Sequence, residues 1–382
     1  MKKVILVAGA RPNFMKIAPI LRAMKNHPDL RAILVHTGQH YDDNMSEAFF
    51  AGLGIKKPDY QLSIGSGTHA VQTANIMIGF EEVCRIEMPD MVLVVGDVNS
   101  TIAAGLVAKK LHIKLAHVEA GLRSRDRQMP EEINRLATDA ITDIFFTTEV
   151  GGTQNLLAEG HSEDSIHFVG HVMIDNLFYQ LGKMGDEDAA SPSVRSLKES
   201  LLEKYLCMTL HRPSNVDDKK ILTELIKTIN TIASEVPIIF PCHPRTLRRL
   251  HDFGLDDLFI MKESVLPEAS KGIIITEPLN YDDFLYLWKD CTIMLTDSGG
   301  LQEETTALGV SCLTLRDNTE RPITVEVGTN ILIGHDMDKL RLEIKKALNG
   351  EKKNGRIPDL WDGNASERIV HHICRYLKEN SN

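Results

Sequence analysis

Unbroken runs of apolar residues constrain this chain more than any other feature. KVILVAG, AILVHTG, MVLVVGD, KLAHVEA, DIFFTT and IHFVG lie in the first half, and KYLCMTL, VPIIFPC, GIIITEP, TIMLTDS, SCLTLRD and NILIG in the second. A strand with one wet face alternates apolar and polar residues. Continuous apolar runs mark strands buried on both faces, as in parallel sheets covered by helices. Amphipathic segments between them, such as IAPILRAMKNH and STIAAGLVAKKLH, supply the crossover helices of βαβ units. The expectation is an α/β chain with two doubly wound, Rossmann-like parallel sheets of six strands each.

At 382 residues the chain accommodates two domains, and 43% apolar content lets each bury a core. Periodicity is weakest in QLGKMGDEDAASPSVRS, a stretch rich in turn formers. The expected division is a first domain over 1–175, a linker over 176–200, a second domain over 201–365 and a final helix over 366–382. A net charge of −10 argues against a nucleic-acid or polybasic membrane protein, while leaving room for a local basic pocket. No apolar stretch is long enough to span a membrane. MKKVILVAGARP lacks a cleavage site and reads as a first strand rather than a signal peptide. The six cysteines form no CxxC pair, which fits buried, reduced thiols in a cytoplasmic protein.

In parallel α/β sheets ligands bind beyond the carboxyl ends of strands, and the notable polar residues gather there. Arg11, Gln39, His40, Asp97, His117 and Glu119 follow strands of the first half. His211, Arg212, His243, Asp297 and Ser298 follow strands of the second. Their number suggests two sheets facing each other across a cleft.

TDSGGLQEE, residues 296–304, ends a strand and opens a helix. Ser298 suits the N-cap, and Gly299 and Gly300 let backbone approach a ligand. Free N–H groups and the positive end of the helix dipole suit a phosphate or diphosphate. An ordinary capped turn, with Glu303 and Glu304 serving the dipole, explains the stretch equally well. In GARPNFMK, Gly9 and Pro12 set a turn and helix start, with Arg11 and Lys16 as nearby cations, and a capped turn with solvated charges explains the stretch as well. Arg316 and Arg321 in RDNTERP lie in a loop, where arginines are usually solvated, but their forks also suit a phosphate.

The candidate acid–base groups are Asp97, Glu119, Glu131 and His211. Asp97 has an alternative reading as a helix cap, and Glu131 and Glu132 after Pro130 as an acidic first turn. Glu119 ends an apolar strand and needs a partner, for which Arg123 is at hand. The histidines lack metal-ligand spacing, so no metal site is expected.

In this order, GARPxxxK, TGQHYD, GDVNST, HVEAGLRS, PEEINR, LHR…NVD, HPRT, TDSGGLQEE and RDNTERP resemble the non-hydrolysing UDP-N-acetylglucosamine 2-epimerases. The resemblance runs from about residue 4 to about 335. It implies a GT-B-like fold with an interdomain cleft and a last helix crossing back to the first domain. It also implies reversible C2 epimerisation of UDP-N-acetylglucosamine to UDP-N-acetylmannosamine, without metal or nicotinamide. Asp97, Glu119 and Glu131 become the acid–base set, and His211 assists departure of UDP. Arg11, Lys16, Arg135 and His243 match polar active-site positions. Ser298, Gly299, Gly300, Glu304 and Arg321 match the UDP-binding set, and Phe284 a residue beside uracil. Gln39, His40 and Arg212 match a region where many bacterial relatives bind UDP-N-acetylglucosamine as an activator. The family is commonly dimeric, so a homodimer is expected.

The sequence departs from the family at three places. GDVNST replaces a Thr-rich form, His171 stands where Asn is usual, and GARPN stands where GTRPE is common. Related enzymes acting on UDP-2,3-diacetamido uronates also carry GARP, which keeps a modified sugar open as the alternative substrate. A UDP-sugar-binding protein without turnover is a further alternative. Pro12 argues for retention of UDP, because hydrolysing 2-epimerases carry an Arg-Ala-Asp form at this turn.

Overall fold

The computed structural model of the protein describes residues 1–38, 47–184, 190–201, 203–261 and 271–380. Two compact units divide the chain: Met1–Tyr179 with Asp359–Asn382, and Gln180–Pro358. The division falls inside helix Val172–Lys183.

The first unit holds β1 (Lys2–Ala8), β2 (Leu30–His36), β3 (Tyr60–Gln61), β4 (Met91–Val95), β5 (Lys114–Val118), β6 (Ile144–Thr147) and β7 (Ile166–Phe168). They pair in the order β3-β2-β1-β4-β5-β6-β7, all parallel. The second unit holds β8 (Leu206–Thr209), β9 (Ile238–Pro241), β10 (Ile260–Met261), β11 (Ile273–Thr276), β12 (Ile293–Thr296), β13 (Ser311–Thr314) and β14 (Asn330–Leu332). Their order is β10-β11-β9-β8-β12-β13-β14, again all parallel. Among the described residues each sheet therefore has seven strands, not six. The additional strands, β3 and β10, are edge strands of two residues. So short a segment carries no periodicity.

The apolar runs are continuous because both faces are covered. On one face Leu6 and Leu93 pack with Phe14 and Ile17 of helix Arg11–Met24. On the other, Ile5 and Val92 pack with Phe80 of helix His69–Glu87 and Val107 of helix Asn99–Lys110. Neighbours in sequence thus enter opposite helix layers, so neither position of the pleat is polar. In the second unit, Leu206, Phe240 and Leu295 pack with Leu225 and Ile229 of helix Lys219–Ala233 and Leu340 of helix Met337–Leu348.

The last helix, Ala365–Glu379, places Ile369 and Ile373 in the core of the first unit. The backbone N–H groups of Ala365 and Ser366 donate to the Asp175 carboxylate at 3.0 and 2.6 Å. A residue distant in sequence thereby caps this helix. His171 is buried, accepts the Met173 N–H at 3.1 Å, and packs edge-on against Trp361 with ring centroids 5.2 Å apart. All six cysteines are free; Cys374 is half-buried and the others buried. Among the described residues no helix is long and apolar enough to cross a membrane.

Because every strand of a sheet is parallel, all carboxyl ends lie along one edge. Residues following β1, β4 and β5 are neighbours there, as are residues following β9, β8, β12 and β13.

Candidate active site

After β1, the Asn13 side chain accepts the N–H groups of Gly9 and Ala10 at 3.0 and 2.9 Å and fixes the turn. Helix Arg11–Met24 starts there with Pro12 in its first turn. Arg11 is exposed, its guanidinium 5.2 Å from the Phe49 ring centroid. Lys16, one turn further on, forms an ion pair with Glu119.

Glu119 follows β5 with φ +68° and is 5% exposed. A non-glycine residue in the left-handed region stores about 1–3 kcal/mol of strain, and such residues cluster at functional sites. Arg123, the partner expected from sequence, is engaged elsewhere. Its guanidinium lies 2.7 Å from Asp139 and 2.6 Å from Glu159. The chain turns at Gly121 (φ +77°), where a Cβ would sit 2.2 Å from the Gly152 carbonyl oxygen. That turn takes Arg123 to Asp139, and Lys16 from the neighbouring helix serves Glu119 instead.

Asp97 does not cap the helix that follows it, since the N-cap is Val98 and no side chain bonds there. The Arg135 Nε and Nη2 groups instead donate to Asp97 Oδ2 at 2.9 and 2.6 Å. Asn134 adds a bond to the Asp97 carbonyl at 2.8 Å. Behind it, the Asn99 amide donates to Gln72 at 2.8 Å, and Ser100 and Thr37 share a hydroxyl contact at 2.8 Å. Asn99 and Ser100, with Val98, are the residues by which GDVNST departs from the Thr-rich form.

Helix Pro130–Asp139 begins at the expected proline. Glu131 is half-buried in its first turn, with no cation at ion-pair distance among the described residues. Glu132, which the sequence assigns only to the helix start, does more. It is 2% exposed, accepts the N–H groups of Ser124 and Arg125 at 2.9 Å each, and takes Arg135 Nη1 at 2.8 Å. Burial resists its charge, yet these donors hold its carboxyl below the ordinary value. Arg125, Asp126 and Arg127 are exposed, as a solvated loop should be.

Beneath this edge lies a pair that sequence reasoning missed. His117 Nδ1 lies 2.6 Å from Asp139 Oδ1, and Nε2 lies 2.9 Å from the Gly96 carbonyl. The second Asp139 oxygen accepts the Gly121 N–H at 3.1 Å and Arg123 at 2.7 Å. His117 was visible as a strand-end polar residue. Asp139, twenty-two positions away at the far end of a helix, gave no signal.

In the second unit, Asp297 follows β12, is fully buried and organises the loop after β8. It accepts the N–H groups of His211 and Arg212 at 2.9 and 2.8 Å, and the Asn215 amide at 3.1 Å. Burial resists its charge, but His211 and these backbone groups hold its carboxyl below the ordinary value. His211 Nδ1 lies 2.9 Å from Asp297 Oδ1, and the side chain is 51% exposed. The imidazole is therefore oriented at Nδ1 by the carboxylate.

Ser298 stands at the N-cap of helix Gly299–Leu308, but its side chain makes no capping bond. A Cβ at Gly299 or Gly300 would meet nothing within 4 Å. Packing within the chain does not demand these glycines, and the space over the helix start is open to a ligand. Glu303, expected to serve the dipole, is buried and pairs with Arg321 Nε at 2.5 Å. Glu304 is buried and accepts the Tyr281 hydroxyl at 2.7 Å. Phe284 is half-buried on helix Tyr281–Trp288, the same helix as Tyr281. His243 is exposed and caps helix Pro244–Asp252 by accepting the Arg245 N–H at 3.2 Å. Arg212 is half-buried beside His211. Gln39 and His40 lie outside the described residues.

The profile of the family described as UDP-N-acetylglucosamine 2-epimerase matches residues 22–374. A UDP-N-acetylglucosamine 2-epimerase of Methanocaldococcus jannaschii is 43% identical over 380 residues, 98% of this chain and 100% of the relative. A UDP-2,3-diacetamido-2,3-dideoxy-D-glucuronate 2-epimerase of Pseudomonas aeruginosa is 37% identical over 378 residues, 98% of this chain and 99% of the relative. Among solved structures, the M. jannaschii UDP-GlcNAc 2-epimerase in complex with UDP-GlcNAc and UDP has a TM-score of 0.79 at 43% identity. It covers 98% of this chain and 100% of that one.

Proposed function

The chain belongs to the UDP-N-acetylglucosamine 2-epimerase family, and on that premise we propose how its own residues carry the reaction. The protein is an isomerase of GT-B-like fold that interconverts UDP-N-acetylglucosamine and UDP-N-acetylmannosamine. The sugar C2–H is not acidic, because no carbonyl adjoins it. Elimination of UDP avoids direct abstraction: a base takes the C2 proton while the C1–O bond breaks. The product, 2-acetamidoglucal, stays bound. Protonation at C2 from the opposite face and return of UDP to C1 complete the inversion. Two faces require two groups, each a base in one direction and an acid in the other.

Asp97, Glu119 and Glu131 supply these groups. The observation that carries this assignment is the placement of Asp97 and Glu119 on one sheet edge, Asp97 held by Arg135 from the helix whose first turn carries Glu131, and Glu119 held by Lys16. Arginine and lysine at hydrogen-bonding distance fix a carboxylate's direction. The second unit holds UDP. The diphosphate sits at the start of helix Gly299–Leu308, where N–H groups and dipole favour an anion. Arg321, steadied by Glu303, adds a forked cation. Glu304 takes the ribose hydroxyls beside Tyr281, and Phe284 packs near uracil. His211, oriented by Asp297, stabilises or protonates the departing diphosphate.

Incubation with UDP-N-acetylglucosamine in deuterated water should give UDP-N-acetylmannosamine carrying deuterium at C2. Unlabelled product would sink the elimination route. A parallel incubation with a UDP-2,3-diacetamido uronate tests the substrate, and turnover of the uronate alone would replace it. A cytoplasmic homodimer is the proposed assembly. It is supported by Val71, Ile78 and Ile86, which are 54, 64 and 65% exposed on helix His69–Glu87 and offer apolar surface to a second copy. Sedimentation at monomer mass would remove the dimer.

A further inference from the structure

His117 is fully enclosed, and both of its ring nitrogens face acceptors. A carbonyl oxygen can only accept, so Nε2 carries a proton toward Gly96 at 2.9 Å. Asp139, 2.6 Å from Nδ1, also meets Arg123 and the Gly121 N–H through its other oxygen. Such donors favour the ionised carboxylate, so Nδ1 carries a proton as well. The ring is an imidazolium.

Its bonds tie together the three carriers of the acid–base set. Gly96, at φ +69°, receives the Nε2 proton and immediately precedes Asp97; its own N–H donates to Val118 at 3.1 Å. His117 sits on β5, two residues before Glu119. Asp139 ends the helix whose first turn holds Glu131, and it also binds the Gly121 turn just past Glu119. We infer that His117 and Asp139 are positioning residues, a buried imidazolium–carboxylate pair that sets Asp97, Glu119 and Glu131 in one rigid frame for proton transfer at C2.

The charged groups around the ring come from every neighbouring element: Asp139 from the helix, Glu119 from its own strand end, Arg123 beyond Asp139 and Lys16 beyond Glu119. Burial opposes the imidazolium charge, but Asp139, the Gly96 carbonyl and Glu119 together raise the ring above its ordinary value. The pair touches no substrate. It acts through the groups it holds, and this role rests on the epimerase reading above.

The test compares the wild type with His117→Gln and Asp139→Asn, each checked for folding by thermal melting. Wild-type deuterium incorporation at C2 is required first, and its absence would count against the proposed reaction rather than against the pair. With it in place, His117→Gln should lower kcat about 100-fold, the scale of a misplacement of about 1 Å, with KM changed only a few-fold. Asp139→Asn removes the main partner that opposes burial and should leave the ring neutral from pH 8 down to pH 6, so its kcat should stay low across that range with KM changed only a few-fold. An unchanged kcat in His117→Gln would overturn the role. Should the variants fail to fold, ¹⁵N NMR of histidine-labelled wild type decides it. Two protonated ring nitrogens at pH 7 support the inference, and a neutral tautomer overturns it.

Discussion

His117 with Asp139 and His211 with Asp297 are built from the same two side chains, the first pair joining a strand to the end of a helix and the second joining two residues that follow strands, and they differ in solvation. In the first pair both side chains are 1% exposed, and in the second the histidine is 51% exposed over a fully buried aspartate. An enclosed ring with acceptors at both nitrogens is held as the cation by its surroundings. A ring anchored at one nitrogen and open at the other can exchange a proton with a ligand. The aspartates are alike in being buried and held ionised by surrounding donors. What separates the pair proposed as a framework from the pair proposed for chemistry is therefore the second nitrogen of the histidine.

The sharpest way to break this contrast is His211→Ala. Loss of a general acid–base group should lower kcat roughly 10²–10⁴-fold. Stability should fall by only about 1–2 kcal/mol, because Asp297 keeps the backbone N–H groups of His211 and Arg212 and the Asn215 amide. A comparable loss of stability would show that His211 is structural. Asp139→Ala is the converse experiment. It strands the His117 cation in a sealed site, leaving Arg123 only Glu159, and should cost about 3–5 kcal/mol in urea denaturation. A cost below about 1 kcal/mol would mean the pair is not a buried ion pair.

Stability against pH should also distinguish the pairs. His117 has a folded value above its ordinary 6.5. Its contribution is full below 6.5 and is lost as pH rises through the folded value. Asp139 and Asp297 are held below 3.8, so their contributions are present above that value and lost as pH falls through the folded ones. Wild type should show an alkaline decline that His117→Gln lacks, while both keep the acid decline.

Glu132→Ala should have a smaller effect, about 1–3 kcal/mol, by removing the acceptor of two backbone donors. Amide exchange should quicken at Ser124 and Arg125 before anywhere else in the first unit. The smallest effect concerns His167, which stacks on His372 with ring centroids 3.9 Å apart. Burial and the neighbouring His372 and Arg375 push it down to about 4. The unfolded chain binds the proton more readily, so stability should fall as pH drops from 6.5 to 4. In His167→Phe this part of the acid decline should flatten, by about 2–4 °C in Tm.

Much was legible in the residues themselves. Unbroken apolar runs declared parallel sheets because burial on both faces forbids alternation, and strand-end placement gathered Asp97, Glu119, His211 and Ser298 at two edges. PEEINR opened its helix at Pro130 because a proline fits a first turn without losing a hydrogen bond. The two-residue strands β3 and β10 escaped notice because pairing at a sheet edge is set by the neighbouring strand and not by their own composition.

Partnership was the property that sequence could not assign. Arg123 is four residues from Glu119, yet Lys16 takes that carboxylate from a helix more than a hundred positions away. Glu132 looked like a dipole residue and proved to anchor a loop, and Asp139 gave no sign of being the counterion of His117. Sequence by itself determined the sheet type, the strand ends and the menu of acid–base groups, because these follow from local pattern and the chemistry of side chains. Only the tertiary structure decided which charges meet and which histidine is sealed from water, because charge pairing and desolvation depend on distances that the crossover connections bring about between residues remote in the chain.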